Sequence, residues 1–228
     1  GNQGMGERGS YAEYVRSAAE RVIPLPAGVT LQQAATLPTA GMTAWKAVLD
    51  LGQAAPGKRV VVNGGAGGTG SFAVQLAKMA GAQVAATCSP RNFDYVRALG
   101  ADHVIDYRAG GVVEAIRAWA PEGVDLIVDT VGQGTFVDTI ETLKRGGIIC
   151  PIGTLIADEV PYDPARAEAA GVTVLPTVSD FESQPRQLAG LVEALASARI
   201  RAPEFTVMPL DQAGEAQRLV AAGHVRGK

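Results

Sequence analysis

Gly65-Ala66-Gly67-Gly68-Thr69-Gly70 sets glycines at the spacing G-x-G-x-x-G, just after the β-branched run Val60-Val61-Val62 and just before Ser71-Phe72-Ala73-Val74-Gln75-Leu76-Ala77-Lys78, which reads as a helix. A strand before and a helix after give that spacing physical meaning. One glycine allows the tight turn, another lets a pyrophosphate approach the backbone, and a third brings helix close to strand. The unpaired N–H groups and positive dipole end of the helix then face the anion. The chemistry implied is dinucleotide binding. The alternative is a plain glycine-rich turn in a chain that contains 28 glycines.

The next strand ends Thr87-Cys88-Ser89-Pro90-Arg91. An NAD-selective site carries Asp or Glu roughly 20 residues after the glycine loop, on the ribose hydroxyls. No carboxylate stands there. A 2′-phosphate wants hydroxyl donors and a cation, and Ser89 and Arg91 supply them. NADPH is therefore expected ahead of NADH, the alternative for Arg91 being a solvated residue opening a helix. Val131-Gly132 and Ile152-Gly153-Thr154 follow two more strands. Ligands of open α/β sheets lie outside the carboxyl ends of strands, so these loops are expected to border the nicotinamide. Gly132 and Gly153 permit close backbone approach there, or serve as ordinary turn glycines.

Other chemistries find little support. There is no Ser/His/Asp constellation, and Asp125 and Asp129 read as strand-end residues that hydrogen-bond to turns. Catalytic zinc needs three protein ligands, whereas the chain has two cysteines and two histidines with no suitable cluster. Cys88 and Cys150 are expected to be buried thiols rather than a disulfide. His103 and His224 are read as structural, and no zinc is expected. Hydride transfer asks mainly for orientation and electrostatics, because the cofactor carries the chemistry. No general acid is assigned.

The elements that must position these groups follow from patterning. The chain has 228 residues, 47% hydrophobic and 19% charged, enough for one large domain or two small ones. A net charge of −3 argues against a nucleic-acid surface. No apolar run approaches the roughly 20 residues of a membrane span. Gly1-Asn2-Gln3-Gly4 shows no signal pattern, so a cytoplasmic protein is expected.

Ser10–Arg16 alternates as a half-buried strand does. Thr30 is a candidate N-cap for a helix over Leu31–Thr36. A stronger helix is expected from Gly41 to Leu51, with Trp45 in the core. From Arg59 strands and helices alternate. Strands are expected at Val60–Asn63, Gln83–Cys88, His103–Ile105, Val124–Thr130, Gly147–Ile152 and Val172–Leu175. Helices are expected at Gly70–Ala80, Arg91–Leu99, Val112–Trp119 and Gln133–Leu143. Continuous apolar runs such as Leu126-Ile127-Val128 belong to a parallel sheet covered on both faces. The fold class is α/β, a doubly wound parallel sheet. Gln184–Ser197 is an amphipathic helix, Phe205–Met208 a strand, and Asp211 the cap of a last helix from Gln212 to Ala222.

Several segments resemble the medium-chain dehydrogenase/reductase superfamily, in particular its zinc-independent quinone oxidoreductase and enoyl reductase branch. They are Tyr11-Ala12-Glu13-Tyr14-Val15, Leu37-Pro38-Thr39-Ala40-Gly41-Met42-Thr43-Ala44-Trp45, the glycine loop, Leu99-Gly100-Ala101-Asp102-His103-Val104-Ile105-Asp106-Tyr107, Val128-Asp129-Thr130-Val131-Gly132 and Gly223-His224-Val225-Arg226-Gly227-Lys228. The resemblance covers nearly the whole chain.

It implies a Rossmann domain over residues 41–200, a partial GroES-like substrate domain over 1–40, and a return to that domain over 201–228. Most of the GroES-like domain is missing, as is the short apolar strand that closes the family's chains. The resemblance also implies that Tyr107 lies near the adenosine phosphate and Thr43 near the nicotinamide ribose. Phe93 stands where NADPH-using relatives often have lysine. Around Thr39-Ala40-Gly41 the zinc-ligating residue of the alcohol dehydrogenases is absent. The implied activity is NADPH-dependent reduction of a quinone or an α,β-unsaturated carbonyl compound. Alternatives are an enoyl-thioester reductase, or a binding module without turnover. A homodimer is expected through the sheet's outer strand near Val172–Leu175, since a bare edge invites pairing and relatives commonly join sheets there.

Overall fold

Three consecutive valines show how the sheet is covered. Val60 and Val62 enter a core on one face and Val61 a second core on the other, all with no exposed surface. The same alternation separates Ala86 from Ala85 and Val128 from Ile127. Side chains on a strand point to opposite faces in turn, so a strand that is apolar throughout needs cover on both sides. The computed structural model describes residues 9–132, 139–152, 164–178, 180, 182–223 and 225–227.

The sheet is six-stranded: β1 (Arg59–Asn63), β2 (Gln83–Cys88), β3 (His103–Asp106), β4 (Val124–Asp129), β5 (Leu143–Pro151) and β6 (Thr173–Val174). The order is β3-β2-β1-β4-β5-β6 and every pairing is parallel. This is the doubly wound Rossmann arrangement expected from the sequence. The chain reverses its direction of growth between β1 and β4, which makes their carboxyl ends the switch point.

The first face is covered by α3 (Gly68–Met79), α7 (Gln184–Ala196) and the helical run containing α2 (Met42–Trp45). The other face carries α5 (Val112–Trp119) and α6 (Pro164–Ala170) through Ile116 and Ala167. α1 (Leu31–Ala35) opens with Thr30, whose Oγ1 accepts from Gln33 N at 3.2 Å while Thr30 N donates to Gln33 Oε1 at 3.0 Å. That is a capping box. The α2 region is helical from Leu37 to Leu51, with wide π-type turns on either side of Met42–Trp45. α4 (Phe93–Ala98) follows a single 3₁₀ turn, Pro90–Asn92. No helix among the described residues is long and apolar enough to cross a membrane.

Trp45 packs against the first core as expected, and its neighbour explains a glycine. A Cβ on Gly190, in the middle of α7, would lie 2.3 Å from the Trp45 ring. Gly190→Ala raises helix propensity, yet it is expected to lower stability by about 1–3 kcal/mol because the indole ring would have to shift from its packed position. Thermal unfolding of the variant checks this.

Four expectations need correction. Ser10–Arg16 is irregular, with Tyr14 91% exposed. Phe205–Met208 is no strand either, and Val207 is 67% exposed. Alternation makes a strand only when a partner satisfies the ladder and a core accepts one face, and neither segment pairs in a sheet here. Asp211 does not cap the last helix. It sits in a 3₁₀ turn, Leu210–Gln212, and Gln212 precedes α8 (Ala213–Ala221) without a side-chain cap. Of the helix expected over Gln133–Leu143, residues 133–138 lie outside the described residues. Its end is a short turn, Ile140–Thr142, and Leu143 already belongs to β5, paired with Val124 across a register shift. That irregularity is what an apolar periodicity cannot reveal.

Candidate functional site

All six strands run the same way, so the loops after their carboxyl ends gather along one edge. A cavity of about 520 Å³ opens there beside β1 and β2. That is the usual size for a small-molecule site. Ala66, Gly67, Ser89, Arg91, Tyr107 and Val131, all singled out in the sequence, line it. Gly65, Gly68, Thr69 and Gly70 build the loop beneath rather than the cavity wall. Gly132 and Ile152 follow β4 and β5 at the same edge without lining the cavity, and Thr43, on α2, does not line it either. Gly153 and Thr154 lie outside the described residues, as does His224.

The glycines divide the work differently from the sequence pattern. The left-handed turn falls on Gly64, one residue before the pattern, at φ +78°. Gly64 N donates to Thr87 Oγ1 at 3.0 Å, and Gly65 N donates to Thr87 O at 2.9 Å. A Cβ on Gly65 would stand 2.8 Å from that of Ala86, and one on Gly70 only 2.1 Å from the Gly64 carbonyl oxygen. These two therefore let loop, β2 and α3 close on one another. Gly67 is different: a Cβ there would meet only the Gly64 carbonyl oxygen, at 3.5 Å. Its bareness serves the cavity rather than the fold. Gly67 also precedes α3 in an extended conformation with no side-chain cap. The first-turn N–H groups of a twelve-residue helix are thus left without a side-chain acceptor.

No Asp or Glu is among the described residues lining the cavity. Its polar groups are the Arg91 guanidinium and the hydroxyls of Thr87, Ser89, Tyr107 and Thr130, with Asn92 behind them. Thr130 Oγ1 donates to Asn63 O at 2.7 Å, which ties the loop after β4 to the end of β1. Gly64, Thr87, Asn92 and Thr130 were missed in the sequence, as were Gly223 and Val225 from the far end of the chain. For Thr87 the strand pattern carried a signal, since the last residues of β2 must abut the loop after β1. For Gly223 and Val225 the only signal was the family resemblance of the closing segment, which did not place them at the cavity.

Asp129 and Asp125 behave as strand-end residues. Asp129 is 1% exposed and its Oδ1 accepts from Val131 N at 3.2 Å and Gly132 N at 3.4 Å. Asp125 accepts from Arg59 N at 2.9 Å and pairs with Lys144. Burial alone would raise the Asp125 carboxyl, but Lys144 and the Arg59 N–H outweigh it and hold the group below its ordinary range.

Both cysteines are free and buried. Burial, with the Asp106 carboxylate adding to it, pushes the Cys88 thiol up to about 11, and burial takes Cys150 to about 12. Native protein is accordingly expected to resist Ellman's reagent at pH 8, with both thiols reacting after unfolding. Cys88 lines the cavity at 3% exposure, and rapid labelling of one thiol in the native state would show that the reagent reaches it from there.

A family model described as zinc-binding dehydrogenase matches residues 68–196. The chain belongs to this family. It is a member of the medium-chain dehydrogenase/reductase superfamily, whose activities are oxidoreductions. Prostaglandin reductase-3 of Mus musculus is 35% identical over 170 residues, 74% of this chain and 44% of that protein. The mitochondrial NAD(P)H oxidoreductase RTN4IP1 of Homo sapiens is 32% identical over 243 residues, 97% of this chain and 61% of that protein. The quinone oxidoreductase of Coxiella burnetii superimposes with a TM-score of 0.82 at 30% identity, covering 99% of this chain and 68% of that one. The chain thus spans about half the length of the curated relatives it matches. The family's description raises the question of zinc. Among the described residues no group of three or more His, Cys, Asp or Glu is arranged to hold a metal ion, and both thiols are buried and protonated. This donor set does not fit a zinc centre.

Proposed function

We propose that the chain is the nucleotide-binding part of an NADPH-dependent, zinc-independent oxidoreductase that delivers a hydride to a quinone or an α,β-unsaturated carbonyl compound. The observation that carries this reading is the cavity at the end of β2, where no Asp or Glu is among the described lining residues and Ser89 and Arg91 stand on the wall. An acid there would repel a 2′-phosphate, whereas a guanidinium and hydroxyls attract one. Bound NADPH supplies the hydride, and its electrophilic acceptor takes it at carbon or, for a quinone, in the ring system. The chain's own contribution is to hold and orient. The bare Gly67 backbone and the start of α3 would seat the pyrophosphate, and Tyr107 would lie beside the adenosine phosphate. Thr43 and the loops Val131-Gly132 and Ile152-Gly153-Thr154 would border the nicotinamide end. Residues 41–200 would form the dinucleotide-binding domain, with 1–40 and 201–228 belonging to a substrate domain.

An enoyl-thioester reductase shares these requirements and differs only in acceptor. A second reading is a binding module without turnover. NADPH consumption followed with a panel of quinones, enones and enoyl thioesters separates the three. Oxidation with quinones or enones supports the leading reading, oxidation with thioesters alone the enoyl reductase, and binding without oxidation the module.

We also propose a homodimer. β6 lies at the edge of the sheet, opposite β3, and the segment Val172–Leu175 is uncharged. A sheet edge of that kind invites pairing with a second copy. Light scattering is expected to give twice the chain mass. The cytoplasm is the proposed location, on the two unpaired cysteines.

A further inference from the structure

We propose that Arg226 is a positioning residue for recognition of the 2′-phosphate, acting through the turn that carries Ser89 and Arg91. The inference rests on the NADPH reading above and adds to it the device that sets this turn. The turn Ser89–Asn92 joins β2 to α4. Within it Asn92 N donates to Ser89 O at 2.9 Å, and the buried Asn92 side chain donates to Ser89 Oγ at 3.2 Å. The rest of its support comes from the other end of the sequence. Arg226 Nε donates to Asn92 Oδ1 at 3.0 Å, and Nη2 donates to the Arg91 carbonyl at 3.4 Å. Nη1 meets both carboxylate oxygens of Glu204 at 3.3 Å, and the guanidinium lies over the Tyr95 ring at 5.6 Å.

Each nitrogen of the Arg226 guanidinium therefore has a protein acceptor, although the side chain stays 39% exposed. Its charge is answered by Glu204, and it does not line the cavity. Its bonds to Asn92 and to the Arg91 backbone connect it to the turn that lines the cavity. The next residue anchors the clamp to the glycine loop, since Gly227 N donates to Ala66 O at 2.9 Å. A Cβ on Gly227 would stand 1.9 Å from the Glu204 carbonyl oxygen, so the tail can take this path only with glycine there. One short segment thus fixes the pyrophosphate loop and the 2′-phosphate turn relative to each other. A planar fork presents donors to an amide oxygen, a carbonyl and a carboxylate in fixed, spread directions, which the compact ammonium of a lysine does not reproduce.

The test compares 2′,5′-ADP with 5′-AMP, ligands that differ by the 2′-phosphate, in the full chain. Calorimetry would be run on wild type, Arg91→Ala, Arg226→Ala, Arg226→Lys and the Arg91→Ala/Arg226→Ala double variant. Arg226→Ala is expected to weaken 2′,5′-ADP about tenfold and to leave 5′-AMP within about twofold. Arg226→Lys, which keeps the charge and guards against unfolding of the alanine variant, should weaken it in the same way. The double variant should bind no more weakly than Arg91→Ala, because the clamp acts through Arg91. Full rescue by lysine, or equal losses for both ligands, overturns the positioning role. So does a normal 2′,5′-ADP affinity in Arg226→Ala beside a weakened one in Arg91→Ala. If Arg91→Ala itself changes neither ligand, the NADPH reading falls and the clamp with it.

Discussion

Gly67→Asp is expected to abolish binding of both NADPH and NADH, a loss of at least about a hundredfold, while the melting temperature stays within a few degrees of wild type. The reason lies in the contrast among the glycines. At Gly70 a Cβ would press 2.1 Å from a backbone oxygen, so substitution there damages the fold as well as the site. At Gly67 a Cβ meets only one oxygen at 3.5 Å, an ordinary contact, and φ is −77°. The fold can therefore accept a side chain. The cavity cannot, because Gly67 lines it directly ahead of α3. An aspartate would set a negative charge where the pyrophosphate is to lie and would itself cap the helix N–H groups that the anion needs. Since both cofactors carry the same pyrophosphate, both should be lost together. Cofactor-fluorescence titration beside thermal unfolding checks this, and retained binding would move the pyrophosphate away from the loop.

Arg91→Glu should act on one cofactor only. A charge-assisted hydrogen bond is worth about 1.5–3 kcal/mol, or roughly 10- to 100-fold in affinity. Reversing the sign adds repulsion to that loss. NADPH affinity is expected to fall about a hundredfold or more, and NADH affinity to stay within a few-fold or rise, since a carboxylate at the end of β2 is what ribose hydroxyls prefer. The same comparison at low and high salt gives a second signature, with the NADPH loss shrinking as ionic strength screens the charge.

The parallel sheet was legible because its strands are apolar on both faces. Val60-Val61-Val62 and Leu126-Ile127-Val128 fit no half-solvated sheet, and the intervening helices require right-handed crossovers that dictate the doubly wound order. The glycine loop was legible for a related reason, as few residues tolerate such close approach of backbone to backbone. Two kinds of information were not local. The strands expected at Ser10–Arg16 and Phe205–Met208 had the right alternation, but alternation says nothing about whether a partner strand is present to complete the ladder. The cavity wall also draws on contacts across the whole chain. Asn92 was not singled out in the sequence, and its place in the wall emerges only when Arg226 reaches it. Likewise Gly64, which makes the turn, was hidden by the more recognisable spacing that starts one residue later. The pattern marked the loop beside the cavity, and the packing of β2 and the chain's last residues against it determined which groups line that cavity.

The central claim is that this cavity takes a dinucleotide and distinguishes the phosphorylated ribose through Arg91. The direct measurement is a fluorescence titration of wild type and Arg91→Ala with NADPH and with NADH. NADPH is expected to bind wild type at least about tenfold more tightly than NADH, and the variant should lose most of that difference through weaker NADPH binding alone. Equal affinities for the two cofactors in wild type, unchanged by the substitution, would contradict the account.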